Sequence, residues 1–313
     1  MTELFVRIDA PSNTPEWLAA RKAFLGASEV ACVLGLSKWS TPLGIYLDKL
    51  SPDVSDSMNE QQELGHVLEP AVAEMVERRT GMKVLPSPGL VQSLVYAWLG
   101  ATPDRVNALG EPVELKTSNA HMKHDWADGP PIIYRIQVLV QMIVLGKKRG
   151  HLAVIHGDFT FEYFVIEWDQ DAVDLIIEKT REFWHGHVVP RIAPDPVVSD
   201  EAALAFPNPD DLIYQADEDM EERHGAFGLL IAEKKEIEIT LEAHTLRITQ
   251  AMGEKATAVV RNGRPLFTWE SKKARDRFDL ARFKQDHPDL ADEYTITGQR
   301  TRSFKYKPIK EKK

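Results

Sequence analysis

Apolar and polar positions in the first 190 residues alternate between helical and strand periods, and each switch marks an element. Residues 14–24 (TPEWLAARKAF) open with a Thr-Pro start signal and read as a helix with Trp17 and Arg21 on one face. A short apolar helix is expected in GASEVACVLG (26–35), with Ser28 as its N-cap and Gly35 closing it. Another is expected in PLGIYLDKL (42–50), with proline in its first turn. After a polar loop at 51–57, an amphipathic helix is predicted over 58–80. Its buried stripe is Val67, Leu68, Ala71, Val72, Met75 and Val76, with Glu69 at the margin.

Strands are predicted at 82–85, 90–92, 97–102 and 111–117. The run at 131–145 (PIIYRIQVLVQMIVL) is a helix apolar nearly all round, hence buried, with Tyr134, Gln137 and Gln141 as its polar stripe. Buried amides need partners, so this stripe should face a polar cleft. Strands at 150–156 and 161–167 and a helix at 169–188 complete the region. Helices, strands, a buried helix, strands and a helix in that order predict an α/β layer architecture with mixed strand pairing.

Past Pro190 the prolines of RIAPDPVVSD mark a linker. The expected organisation is a domain at 1–190, a linker at 191–209 and a C-terminal extension at 210–313. Residues 210–254 read as helical, as an antiparallel pair. Residues 257–270 read as a hairpin turning at Asn262-Gly263. A short helix at 272–285 and a last strand at 300–307 follow. The strand's Arg300, Arg302, Lys305 and Lys307 suit either a phosphate-facing edge or a charged protective edge.

The stretch with candidate chemistry is 98–118, WLGATPDRVNALGEPVELKTS. An apolar run ends in Pro103-Asp104, an Asn/Gly-containing loop follows, then Val113-Glu114-Leu115-Lys116, which together read as a hairpin. Alternation puts Glu114 and Lys116 on one face and Val113, Leu115 and Thr117 on the other. Paired strands would bring Asp104 beside that face. Two carboxylates suit a hard, oxygen-seeking ion such as Mg²⁺, and a neighbouring lysine can orient water or offset developing charge.

Composition sets the remaining bounds. An apolar fraction of 43% in 313 residues allows a normal core. The single cysteine, Cys32, excludes a disulfide framework and a four-cysteine metal site, and its apolar run makes it a core residue. His121 and His124, three apart, are a weak zinc-ligand pair, and His66 shares a helix face with Glu69. No apolar stretch reaches the roughly 18 residues of a membrane span, and the first residues lack a signal-peptide pattern, so a cytoplasmic protein is expected. The net charge of −10 opposes nucleic-acid binding only on average. Residues 200–254 hold 14 acidic against 4 basic residues, whereas 255–313 hold 16 basic against 8 acidic, a tail able to touch phosphates.

The segments EWLAARKAFLGASEVACVLGLSKWSTPLGIYLDKL, ELGHVLEP, ATPDRVN, VELKTS and YRIQVLVQM, in this order, resemble the YqaJ-type viral recombinases. That family is related to the lambda-type exonuclease, within the PD-(D/E)XK nuclease superfamily. The resemblance covers roughly residues 14–190, and NGRPLFTW and RSFKYK resemble the C-terminal extension of longer members. It implies a restriction-endonuclease-like α/β core, a mixed central sheet flanked by helices, with a helical and β-hairpin extension. It also implies metal ligation by Asp104, Glu114, Glu69 and the Leu115 carbonyl, with Lys116 as the catalytic lysine. Arg21 and Ser28 match the residues that receive a terminal 5′-phosphate. Gln137, with Tyr134 and Gln141, matches the helix that orients lysine and substrate.

The implied activity is Mg²⁺-dependent hydrolysis of duplex DNA from its 5′ ends, with two ions and Mn²⁺ able to substitute. The products would be 3′ single-stranded tails for a single-strand annealing protein, and the implied assembly is a homotrimeric ring. Two other readings stay open on this core: an endonuclease, and a DNA-binding recombination protein without chemistry.

Overall fold

The computed structural model describes residues 3–11, 14–52, 60–206, 213–254, 257–271, 278–295 and 304–307. The chain divides into two compact units, Met1–Ala205 and Phe206–Lys313.

The first unit begins with strand β1 (Phe5–Ile8), helix α1 (Pro15–Arg21), the two-residue strand β2 (Leu25–Gly26) and helices α2 (Val30–Val33), α3 (Pro42–Leu50) and α4 (Glu60–Thr80). Thr14 and Thr41 cap α1 and α3 by accepting from the amides of Trp17 and Gly44, so both Thr-Pro signals act as helix starts. Strands β3 (Val84–Pro86), β4 (Leu90–Ser93), β5 (Leu99–Ala101), β6 (Arg105–Asn107) and β7 (Pro112–Ser118) follow. Helix α5 (Ile132–Leu145) leads to β8 (Arg149–His156), β9 (Phe161–Glu167), α6 (Gln170–Phe183) and α7 (Ser199–Ala205).

Two sheets form. The larger has the order β3-β6-β7-β8-β9, with β7 and β8 parallel and the other pairs antiparallel. The smaller has the order β1-β4-β5-β2, with β2 parallel to β5. This is the mixed, helix-flanked sheet architecture that the resemblance implies. Helix α5 supplies the crossover from β7 to β8 and packs against β4 and β5 of one sheet and β7 and β8 of the other. Contact on two sides explains its apolar circumference: Ile136, Val138, Leu139, Val140, Met142, Ile143, Val144 and Leu145 are all buried. Cys32 lies in the same core as a buried free thiol.

Two glycines let these layers close. At Gly100 in β5 a Cβ would stand 2.2 Å from the buried ring of Phe24. At Gly150 in β8 it would stand 2.4 Å from Val138 Cγ1, on α5.

Several predicted elements move. The hairpin partner of β7 is β6, not the run at 97–102: Arg105 pairs with Val113 and Val106 with Pro112. Residues 99–101 belong to the smaller sheet, and the chain changes sheets at Thr102-Pro103-Asp104, where proline has no N–H for a ladder. In α4 only the second half of the predicted stripe is covered. Val72 and Val76 are buried against Val113, Leu115 and Ala153, whereas Val67 and Leu68 are 68% and 37% exposed. Strands β1, β2 and β6 are too short or too polar to stand out by period. Within the stretch expected to be a linker, α7 is helical, and its Ala205 packs on the core.

In the second unit, α8 (Glu218–Met252) is one unbroken helix of 35 residues rather than an antiparallel pair; no turn sequence interrupts 218–252. Strands β10 (Ala258–Arg261) and β11 (Arg264–Thr268) form the expected hairpin, with Asn262 and Gly263 both at positive φ as its tight turn requires. Helices α9 (Leu280–Asp286) and α10 (Pro288–Glu293) follow; residues 272–277 of the predicted helix lie outside the described residues. Arg300 and Arg302 of the predicted last strand also lie outside them, and 304–307 form no strand. Phe304 and Tyr306 instead place their rings 5.5 and 5.3 Å from that of Phe227 on α8.

Because the Phe24 ring occupies the space beside Gly100, Gly100→Ala should destabilise the first unit by about 1–3 kcal/mol. Urea unfolding of wild type and variant checks this; an unchanged midpoint would contradict the packing.

Candidate active site

Strand β7 carries two environments on its two faces. Val113 and Leu115 are buried against α4, while Glu114 and Lys116 point to the side covered by α5. Asp104, in the crossing between the sheets, fastens itself to β7: its Oδ2 accepts from the Leu115 amide at 2.7 Å. Glu114 is 1% exposed and surrounded by donors. Its Oε1 takes Lys116 Nζ and Gln137 Nε2, each at 2.5 Å, and its Oε2 takes Gln141 Nε2 at 2.6 Å. The amides of α5 therefore find the polar partner that their burial demands. Gln141 Oε1, on the same side chain, is buried without a partner among the described residues.

Glu69 comes from α4. Its Oε1 lies 2.7 Å from His66 Nδ1 and its Oε2 3.6 Å from Arg105 Nη1. A cavity of about 460 Å³ is lined by Glu69, Asp104, Glu114, Lys116, Gln137 and Gln141, and also by Arg21 and Ser28. Arg21 lies with its guanidinium carbon 4.5 Å from the Trp17 ring centre and Nη2 3.1 Å from Glu29 Oε1. Ser28 does not cap α2: the N-cap position is Glu29, no side chain caps it, and the Ser28 side chain stays exposed.

Two residues of the expected set stand behind the cavity wall. The Leu115 side chain is in the α4-side core, and what it turns toward the site is its amide, to Asp104. Tyr134 does not line the cavity; its ring lies 5.3 Å from Lys116 Nζ and stacks on Trp126 at 5.4 Å. Gln141 is fully buried and grips Glu114, so it faces a carboxylate rather than solvent. His124 Nδ1 meets the His121 carbonyl, and the two rings form no metal-binding group.

The sequence reading missed Glu29, Lys49 and Arg105. Lys49 had a signal: it lies three residues after the buried Tyr46, on the apolar face of α3, where a charge needs a partner.

Residues 16–148 match the family described as the YqaJ-like viral recombinase domain. The protein YqaJ of Bacillus subtilis (strain 168) is 35% identical over 185 residues, 57% of this chain and 58% of that protein. The chain thus spans somewhat over half the length of that relative. Among solved structures, an alkaline exonuclease from Laribacter hongkongensis is 24% identical with a TM-score of 0.49, covering 57% of this chain and 94% of that one. A phage-related exonuclease from Haemophilus somnus 129PT is 9% identical with a TM-score of 0.40, covering 53% and 96%.

In the YqaJ-like segment, two carboxylates, Asp104 and Glu114, share the field of one ammonium, Lys116. Burial pushes the Asp104 carboxyl well above the usual aspartate range, and the Glu114 charge pushes it further, against Lys116 and the Leu115 amide. Burial pulls the Lys116 ammonium down, but the Glu114 and Asp104 carboxylates outweigh it and hold it above the ordinary lysine range. Hard carboxylate oxygens that repel one another fit a divalent cation in kind. Among the described residues no three Asp, Glu, His or Cys side chains form a ready coordination group. The reason is visible: Glu114 is turned onto Lys116 and the two amides, and Glu69 onto His66 and Arg105.

Asp104 gives a signed prediction. A carboxyl with a higher pKa folded than unfolded contributes its stability below the ordinary value of 3.8 and loses it as pH rises through the folded value. In chelator-containing buffer at pH 7, Asp104→Asn should therefore be more stable than wild type, by about 0.5–2 kcal/mol. The difference should close as pH falls toward 3.8. Thermal unfolding across pH checks this; a less stable variant at pH 7 would contradict the charge repulsion.

Proposed function

We propose that the YqaJ-like segment is a metal-dependent nuclease acting on DNA, and that it works as a 5′-to-3′ exonuclease on linear duplexes. The observation that carries this reading is that Asp104, Glu114, Glu69 and Lys116 line one cavity together with Arg21 and Ser28. Carboxylates with a lysine are groups suited to phosphodiester hydrolysis, and an arginine beside a free hydroxyl is suited to a terminal phosphate. The family match supports a role in recombination, for which 3′ single-stranded tails are the useful product.

Asp104, Glu114 and Glu69 would hold Mg²⁺. When bound, the ion supplies Lewis-acid polarisation of the phosphate and a lowered pKa for water. Each residue's own contribution follows from its surroundings. Gln137 and Gln141 fix the Glu114 carboxylate by both oxygens, so it meets the substrate already oriented. Lys116, paired with Glu114 and resting near the Tyr134 ring, stays cationic and suits stabilisation of negative charge at the phosphorus better than proton abstraction. Arg21 has a planar fork with five N–H donors, and Glu29 engages one amino group, which leaves donors for phosphate oxygens. Ser28 adds an exposed hydroxyl at the same cavity. Homotrimeric assembly and delivery of the 3′ tail to an annealing protein are part of the same proposal.

The test uses the full chain with linear duplexes bearing a 5′-phosphate or a 5′-hydroxyl, and with a covalently closed circle, in Mg²⁺ or in chelator. The expected result is release of nucleotides from linear DNA in Mg²⁺, faster from phosphorylated ends, with the circle intact and no release in chelator. Asp104→Ala and Glu114→Ala should each lower the rate by at least roughly 10²–10³-fold while remaining folded. Digestion of the circle would overturn the end-dependent reading, and an active Glu114→Ala would overturn the site.

A further inference from the structure

The guanidinium of Arg21 is held by more machinery than a surface ion pair needs. Glu29 lies across two cations: its Oε1 meets Arg21 Nη2 at 3.1 Å and its Oε2 meets Lys49 Nζ at 2.6 Å. The same Oε2 accepts the Gly26 amide at 2.8 Å. Lys49, from α3, has a side chain only 1% exposed, and its Nζ also donates to the Arg21 main-chain carbonyl at 2.9 Å. Lys49 thus grips Arg21 twice, by its backbone directly and by its guanidinium through Glu29. Trp17 stands under the guanidinium at 4.5 Å. Gly26 clears its path, because a Cβ there would stand 3.2 Å from Arg21 Nη2.

Stability alone does not explain this arrangement. A buried ammonium is costly, and burial lowers the pKa of Lys49 against the pull of Glu29. Buried ion pairs replaced by apolar groups of similar shape are often no less stable. What the set does determine is the position of one guanidinium in the wall of the cavity.

We infer that Glu29 and Lys49 are positioning residues that fix Arg21 for recognition of a terminal 5′-phosphate monoester. This inference rests on the terminal-phosphate reading of the cavity. Neither residue touches the reacting phosphodiester; both act through Arg21. Their effect therefore falls on discrimination between phosphorylated and unphosphorylated ends, and it disappears once Arg21 is gone.

The experiment measures kcat/KM on duplexes with 5′-phosphate and 5′-hydroxyl ends in Mg²⁺ for wild type, Glu29→Gln, Lys49→Met, Gly26→Ala, Arg21→Ala and the Arg21→Ala/Glu29→Gln double variant. Thermal unfolding establishes that each is folded. Glu29→Gln and Lys49→Met should lower the phosphate preference by roughly tenfold to a hundredfold, with the loss appearing in KM for phosphorylated ends. Glu29→Gln carries the test if Lys49→Met does not fold, and Gly26→Ala, which asks Arg21 to give by only a few tenths of an ångström, should cost less than either. The double variant should have the preference of Arg21→Ala alone, since a residue acting only through Arg21 has nothing further to remove. Wild type with equal rates on both ends overturns the terminal-phosphate reading and this inference with it. A wild-type preference that survives in folded Glu29→Gln, or additive losses in the double variant, overturns the inference alone.

Discussion

One buried carboxylate organises the first unit. Glu114 has almost no access to water, so an ionised side chain there requires donors from the protein on every side. It obtains them from its own strand through Lys116 and from α5 through Gln137 and Gln141. These bonds tie the crossover helix to the middle of the larger sheet at the place where the cavity opens. Apart from Tyr134 and the exposed Arg135 the rest of α5 is apolar, so two amides reaching one acid fix its rotation about its own axis. A change that turns the helix leaves a charge uncompensated in the interior.

Asp104 adds a second constraint of the opposite sign. Its position in the crossing between sheets buries a second carboxylate near the first, and burial, then the Glu114 charge, push it toward its neutral form against Lys116 and a backbone amide. The folded arrangement therefore disfavours the charged form of Asp104 at the cavity.

Much of this was legible in the sequence, and the limits have physical causes. Two-residue alternation in VELK put Glu114 and Lys116 together because a strand's faces follow from its geometry alone. The amides at 137 and 141 stood out as polar positions on an apolar helix, and spacing of four places them on one side. The partner of β7 was misread because the apolar 97–102 run looks more like a strand than Arg105–Asn107; which sheet a short run joins is decided by contacts distant in sequence. The exposed half of the α4 stripe has the same origin, since periodicity marks a face but not what covers it. Glu29 escaped because it looks ordinary alone, and the charge on the apolar face of α3 finds its meaning only when α3 carries Lys49 back beneath α1.

Gly150 gives the core an unexpected say in the chemistry. The missing side chain on β8 lets Val138 and Met142 settle close to the strand, and this approach sets how far the α5 backbone stands from the sheet. The same backbone carries Gln137 and Gln141, whose reach to Glu114 is a fixed side-chain length. The thickness of an apolar layer thus becomes a calibration of how Glu114 is held. Residues that do not line the cavity, Val138 and Met142 among them, are held to the tolerances of those that do.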